Sequence, residues 1–221
     1  MKTNLTIWEN HLDLNFMKTC NGRATDKNGY KYKIASEIVS HDYKSVLDVG
    51  AGIGLMNNVL KKAGGNISYT AVEITKKYIE YMKSQNIDCL EITDSIPLED
   101  NSYDCVISLE TINHQEDYKL HLDELLRIAK NKVYISFFKK FQEEVKVGET
   151  KHLSGKFPTY VNEYGLIEER NKIDGKVVAI YNFINKKKLT EYLDSLNLDY
   201  QFIPDFKDIQ NVLSITIGEK K

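Results

Sequence analysis

The stretch Val46-Leu47-Asp48-Val49-Gly50-Ala51-Gly52-Ile53-Gly54 sets the reading of the whole chain. Four residues suited to a buried strand run into three glycines within five positions, and a helical pattern starts at once afterwards. A strand, a glycine turn and a helix in that order let a ligand approach backbone that a side chain would otherwise shield. The helix start behind the turn offers N–H groups that favour an anionic group nearby. Spacing narrows the choice. A dinucleotide fingerprint needs a third glycine at position 55, which is Leu55, and no Gly-Lys-Ser/Thr follows to make a phosphate-binding loop. What stands here is Asp-x-Gly-x-Gly-x-Gly, with an acid two residues ahead of the first glycine.

Working outward, the same alternation repeats. Leu55, Val59, Leu60 and Ala63 form one helical face that ends at Gly64-Gly65. Tyr69–Val72 reads as a second strand finishing at Glu73, and a helix follows from Lys76 to Gln85. A short strand spans Asp88 to Ile92, then Thr93-Asp94-Ser95 opens a loop. Tyr103 to Leu109 is a strongly apolar strand, Leu122, Leu125, Leu126 and Ala129 stripe a helix, and Val133 to Phe138 is a fifth strand. This order predicts an α/β fold, a doubly wound and mostly parallel sheet with helices on both faces. The pattern breaks over 139–183, where Asp174-Gly175 between Leu166–Ile173 and Lys176–Phe183 signals a hairpin with a type I′ turn. That segment reads as an insertion or lid over the strand ends. A helix with Leu189, Tyr192, Leu193 and Leu196 and two strands, Tyr200–Ile203 and Val212–Ile217, close the chain.

At 221 residues the chain suits a single domain, 1–221, with an N-terminal helical cap over 1–43. In that cap Ile7, Trp8, Leu12, Leu14 and Phe16 suit a short helix between Asn-Gly turns. Tyr30 and Tyr32 are candidates either for a lid or for plain core packing. Lys+Arg 30 against Asp+Glu 32 lacks the basic excess of a nucleic-acid binder. Three unpaired cysteines, no leader and no long apolar run point to a cytoplasmic protein with no membrane span; monomer and homodimer stay open. Lys186–Lys188 and Lys220-Lys221 read as solvated faces.

Val46–Gly54, Ala71-Val72-Glu73 and the run from Asp94 through Ser108 together resemble the successive motifs of the Rossmann-like, class I S-adenosylmethionine (SAM) methyltransferases. The resemblance is nearest to their ubiquinone- and menaquinone-biosynthesis-like, small-molecule branch, and covers roughly residues 44–138. It implies a seven-stranded sheet with an antiparallel last strand, SAM as cofactor, and methyl transfer. SAM carries a sulfonium cation, an amino acid and an adenosine, so its site calls for acids and close backbone. Asp48 suits the amino group; Gly50, Ala51, Gly52 and Gly54 let the methionine end lie against the chain. Glu73, 25 positions after Asp48, suits the ribose hydroxyls, and Asp94 the adenine amino group with Ser95 alongside. Ile74 and Leu109 complete the expected cofactor wall.

Past the fourth strand, Glu110-Thr111-Ile112-Asn113-His114 borders the expected transfer point. If the turn is helical, Glu110 and His114 share a face. An acceptor hydroxyl or ammonium must lose a proton, and a histidine suits that task. His114 is therefore the candidate base and Glu110 its catalytic neighbour; a histidine that merely orients the loop is the other reading. Some relatives have a Glu-x-x-Glu-His metal site here. This chain has Asn113 at the second Glu, which weakens a hard-cation site even with His121 and His152 nearby, so no metal is expected. Phe157, Tyr160, Tyr164, Tyr181 and Phe183 in the insertion suit either a partly aromatic acceptor pocket or the hairpin's own core. The expected acceptor is a small molecule, methylated at oxygen or nitrogen. The rival readings are an RNA or protein methyltransferase and a non-catalytic SAM-binding subunit.

Overall fold

In the computed structural model, residues 14–15, 17, 26–27, 29–92, 95–139, 141–144, 151–152, 155–156, 159–173, 176–203 and 211–218 are described. Five α-helices and twelve strands alternate along them. Helix α1 (Tyr30–Ser40) precedes β1 (Ser45–Val49), α2 (Leu55–Lys62), β2 (Ser68–Glu73), α3 (Lys76–Ser84) and β3 (Asp88–Glu91). Then come β4 (Tyr103–Leu109), a 3₁₀ turn (Ile112–His114), α4 (Tyr118–Ile128) and β5 (Ala129–Phe137). The inserted strands are β6 (Lys151–His152), β7 (Gly155–Lys156), β8 (Thr159–Val161), β9 (Gly165–Ile173) and β10 (Lys176–Ile184). Helix α5 (Lys186–Ser195), β11 (Asp199–Ile203) and β12 (Asn211–Thr216) finish the fold.

Seven strands form one sheet in the order β11-β12-β5-β4-β1-β2-β3. The pairs β1–β2, β1–β4, β2–β3 and β4–β5 are parallel, and β12 runs antiparallel to both its neighbours. The expected α/β fold with a reversed last strand is therefore present. Successive side chains on a strand face opposite ways, and the core divides accordingly. Leu47, Val49, Val72, Val106 and Ile135 pack beneath Leu122 and Leu125 of α4 and Leu189 and Leu193 of α5. Val46, Ala71, Ile107 and Tyr134 pack beneath Ile34 and Ile38 of α1, Met56 and Val59 of α2 and Met82 of α3.

Strand β5 starts four residues before the expected Val133, directly at the end of α4. Ala129, read with the helix stripe, is its first residue; Lys132 within it is buried, and its ammonium is satisfied by Thr216 Oγ1 at 2.9 Å. Among its described residues the link from β3 to β4 has no helix. Arg127 holds it instead, donating to the carbonyls of Leu98 (2.6 Å) and Ile96 (3.2 Å) and to Asp100 (2.9 Å).

The insertion forms a three-stranded antiparallel sheet, β10-β9-β8, and the small β6–β7 ribbon. The β9–β10 hairpin is present as the pattern predicts; its Asp174-Gly175 turn lies outside the described residues, as do Asp94, Cys20, Phe157, Lys220-Lys221 and the expected helix residues Ile7, Trp8, Leu12 and Phe16. Cys89 and Cys105 are free thiols. Lys186 departs from a solvated reading, since its ammonium stands over the rings of Phe202 (4.6 Å) and Phe141 (5.2 Å). No helix among the described residues is long and apolar enough to cross a membrane.

Candidate active site

Strand order reverses between β1 and β4, and at such a switch point the connections leave in opposite directions and open a crevice at the strand ends. A cavity of about 380 Å³ lies there. Its walls include Asp48, Gly50, Ala51, Gly52, Glu73, Ile74, Leu109, Glu110 and His114, so nine of the residues singled out in the sequence meet in one place. Ser95 is exposed and is not part of the wall. Gly54 is not part of it either: it caps α2 at φ 72°, and a Cβ there would come within 3.0 Å of Met82 and Ile87.

The glycine turn is tied to β2. Val72 O accepts from Gly50 N (2.8 Å) and Ala51 N (3.2 Å), and Glu73 Oε2 accepts from Gly52 N (2.7 Å). These N–H groups are thus engaged within the chain, and are not the open anion site that a turn ahead of a helix suggests. Gly50 has φ 75°, and a Cβ on it would lie 2.4 Å from Thr111 Oγ1, so only glycine lets the β1 turn meet the loop after β4.

Asp48 points to the α1 face of the sheet and is buried. Tyr69 Oη donates to its Oδ2 at 2.6 Å. Burial pushes its carboxyl up to about 6, against the Tyr69 bond and the nearby Lys31 charge, which favour the anion. Glu73 is also buried, and its Oε1 accepts from Ile74 N (2.8 Å) and Thr75 N (3.0 Å). Burial raises its pKa, and the three backbone donors oppose the rise. The Thr75 hydroxyl is a fourth donor to Glu73.

Lys31 was not foreseen. It lies in an ordinary helical pattern, yet it is buried, lines the cavity, and stands 3.5 Å from Glu110 Oε1. A single ammonium therefore serves two acids, Asp48 and Glu110. Its neighbour Tyr30 is buried, and its hydroxyl donates to Glu110; Tyr32 packs against the core on the α1 face. Glu110 has φ 63°, in the left-handed region, and its N–H donates to Ser136 Oγ at 2.8 Å.

The 3₁₀ turn puts Glu110 and His114 on the same cavity. The His114 ring packs between Phe138 (4.9 Å) and Tyr181 (5.1 Å). Asn113 faces away: its Nδ2 donates to Asn182 O (2.7 Å) and its Oδ1 accepts from Phe138 N (2.9 Å). It clasps the turn to β10 and to the end of β5. His121 has a single hydrogen-bond partner among the described residues, Ser108 Oγ at 2.9 Å, and the His152 side chain lies outside them. Among the described residues no group of three or more His, Cys, Asp or Glu side chains is placed to hold a metal ion. Of the insertion's rings, Tyr181 lines the cavity. Tyr160 is exposed and bonds Glu116, and Tyr164 bonds Asp117 and stands edge-on to Tyr118 at 5.8 Å, so both tie the insertion to the start of α4.

Residues 47–137 match a protein family described as Methyltransferase domain. No curated protein matches the sequence. Among solved structures, a SAM-dependent methyltransferase from Aquifex aeolicus aligns over 94% of this chain and 100% of its own, at 17% identity and TM-score 0.57. Magnesium protoporphyrin IX methyltransferase from Synechocystis PCC 6803, solved with bound S-adenosylhomocysteine, aligns over 94% of this chain and 89% of its own (14% identity, TM-score 0.59). A chain from the complex between the Haloferax volcanii Trm112 methyltransferase activator and its methyltransferase aligns over 97% and 96% (14% identity, TM-score 0.63). Residues 47–137 thus carry the match to a methyltransferase domain, and over nearly its whole length the chain shares the fold of these solved structures.

Proposed function

We propose that this protein transfers a methyl group from SAM to an oxygen or nitrogen of a small acceptor. The observation that carries the reading is the convergence of Asp48 and Glu73, from the ends of adjacent strands, with Glu110 and His114 on one cavity of about 380 Å³. The residues suit the cofactor's chemistry. Two buried acids fit a ligand with an ammonium and a ribose diol, and the backbone at Gly50 and Gly52 carries no side chain that would fill the cradle. Asp48 receives the amino group, Glu73 the ribose, and Lys31 is the cation within reach for the methionine carboxylate. Gly54 supports this end through the turn's shape. Asp94 and Ser95 keep their proposed place at the adenine end.

Bound SAM supplies a methyl group on a sulfonium cation, which leaves a neutral thioether. The chain's part is to hold the acceptor in line and take its proton. His114 is the base, and the Phe138 and Tyr181 rings fix its plane. Glu110 already accepts from Tyr30 and pairs with Lys31, so its role is to hold negative charge at the transfer point. Asn113 stands where a metal ligand would be needed, and its side chain is spent on Asn182 O and Phe138 N, so the transfer proceeds without a metal ligand from that position.

Calorimetry with S-adenosylhomocysteine is the direct test. Micromolar binding that falls at least about a hundredfold in Asp48→Ala and Glu73→Ala supports the cofactor assignment, since each removes a charged partner. No binding by the unaltered protein ends it. Turnover across a panel of small hydroxyl and amine acceptors, lost in His114→Ala, supports the acceptor and base assignments. Binding without turnover on any acceptor turns the reading to a non-catalytic SAM-binding subunit.

A further inference from the structure

His121 is buried on α4 and lines the cavity, yet the reaction above makes no use of it. Its bond to Ser108 determines which ring nitrogen carries the proton. Ser108 Oγ lies 3.1 Å from Val49 O and 2.9 Å from His121 Nε2. A carbonyl only accepts, whereas an imidazole nitrogen can donate or accept, so both contacts are made together when the single hydroxyl proton of Ser108 goes to Val49. The contact with His121 must then be donated by Nε2–H. Burial pushes the imidazole pKa down to about 4, so the ring is neutral near pH 7 and Nδ1 keeps its lone pair. No donor among the described residues reaches Nδ1.

The surroundings say what could. Val49, Val72 and Ile92 line this side of the cavity and belong to the apolar core on the α4 face of the sheet. With His121 on the cavity wall, an acceptor there can take an N–H or O–H from a ligand. Asp48 and Lys31 lie on the opposite face, and Glu110, His114 and Tyr181 stand past the end of β4. The α4-side slot next to the Glu73 strand end is therefore the place for a flat heterocycle. We propose that His121 Nδ1 accepts a hydrogen bond from the exocyclic amino group of the cofactor's adenine ring, and so makes the site reject a 6-oxopurine. This inference rests on the SAM reading above. An amino group has two N–H donors, so the role given to Asp94 is not displaced. A 6-oxo group would instead set its carbonyl oxygen against the Nδ1 lone pair.

The experiment compares S-adenosylhomocysteine with S-inosylhomocysteine, its 6-oxo analogue, by calorimetry, and reads the His121 nitrogens by ¹⁵N NMR. The unaltered protein should favour the adenine form by about tenfold or more, the worth of one buried hydrogen bond. In His121→Leu, S-adenosylhomocysteine should lose about tenfold while the inosine form changes little, so the preference collapses. ¹⁵N spectra should show an unprotonated Nδ1 whose resonance moves when S-adenosylhomocysteine binds. If His121→Leu does not fold, Ser108→Ala, which frees the tautomer, should narrow the preference instead. An equal affinity for both forms, a preference unchanged in the variants, or a proton on Nδ1 in the bound state overturns the role of His121 and leaves the SAM reading standing. Binding of neither form overturns both.

Discussion

At Glu110 the backbone turns left-handed, with φ 63°, immediately before the residues that approach the transfer point. For a residue with a Cβ that conformation costs roughly 1–2 kcal/mol. The Ser136 hydroxyl and the side-chain contacts with Tyr30 and Lys31 hold it there. Glu110→Gly should therefore be more stable than Glu110→Ala by about 1 kcal/mol in denaturant unfolding, because both lose the carboxylate and only alanine retains the strain. Both should lose most activity. Equal stabilities would mean that the turn relaxes when the carboxylate is gone. Asp48 and Glu73 were legible as candidates because one stands two residues before the glycine turn and the other ends an apolar strand. Lys31 was not. Lysines recur at 31 and 33 in Tyr30-Lys31-Tyr32-Lys33, and nothing local says which of them a sheet and two acids will enclose.

Among the elements, the 3₁₀ turn Ile112–His114 is the joint between sheet and insertion. Asn113 ties it to β10 and to the residue after β5, and Asn182 Nδ2 returns the contact by donating to the carbonyls of Gln115 and Glu116 (3.1 Å each). Asn113→Ala should cost about 2 kcal/mol, because buried backbone groups at 138 and 182 lose their partner. It should raise acceptor KM several-fold while S-adenosylhomocysteine affinity stays within about twofold, since the clasp positions His114 and Tyr181 and leaves the cofactor loop alone. A matched loss of cofactor affinity would show that the turn also shapes that end. The sequence placed the hairpin and its strands by alternation and by Asp174-Gly175, but not β8 or the direction of its rings. Tyr160, Tyr164 and Tyr181 are equally aromatic; only the packing of β10 on the turn selects Tyr181 for the cavity.

For the molecule as a whole, the proposed cofactor reading makes binding depend on pH through the buried acids. Asp48 is pushed from 3.8 up to about 6. A cationic amino group pairs only with the ionised form, so S-adenosylhomocysteine affinity should fall as pH drops below about 6, approaching tenfold per unit. Asp48→Asn should bind weakly with a flat profile between pH 5 and 7. A profile in Asp48→Asn as steep as in the unaltered protein would assign the titration elsewhere. Stability without cofactor follows two opposed trends. The folded state keeps the Asp48 proton to a higher pH than the unfolded chain, so this group removes stability as pH rises from about 4 to about 6; Glu73, also raised, acts the same way. His121 is lowered from 6.5 to about 4, so it removes stability as pH falls through that window. His121→Leu should uncover the carboxylate trend, with Tm rising from pH 6.5 to pH 4 more than in the unaltered protein.

What the sequence by itself determined was order. Strand, glycine turn and helix follow from local periodicity and from positions only glycine can occupy, and the succession of acids at strand ends follows from the same pattern. From these came the α/β alternation, while the reversed last strand was implied only by the resemblance to the methyltransferases. The tertiary structure alone decided which polar groups share an enclosed space: Lys31 between Asp48 and Glu110, Asn113 turned into a clasp, His121 left with one open nitrogen. Those outcomes depend on burial and on partners as far apart as Lys31 and Glu110 or Asn113 and Asn182. Desolvation and hydrogen-bond geometry act through space, and a linear pattern carries no record of them.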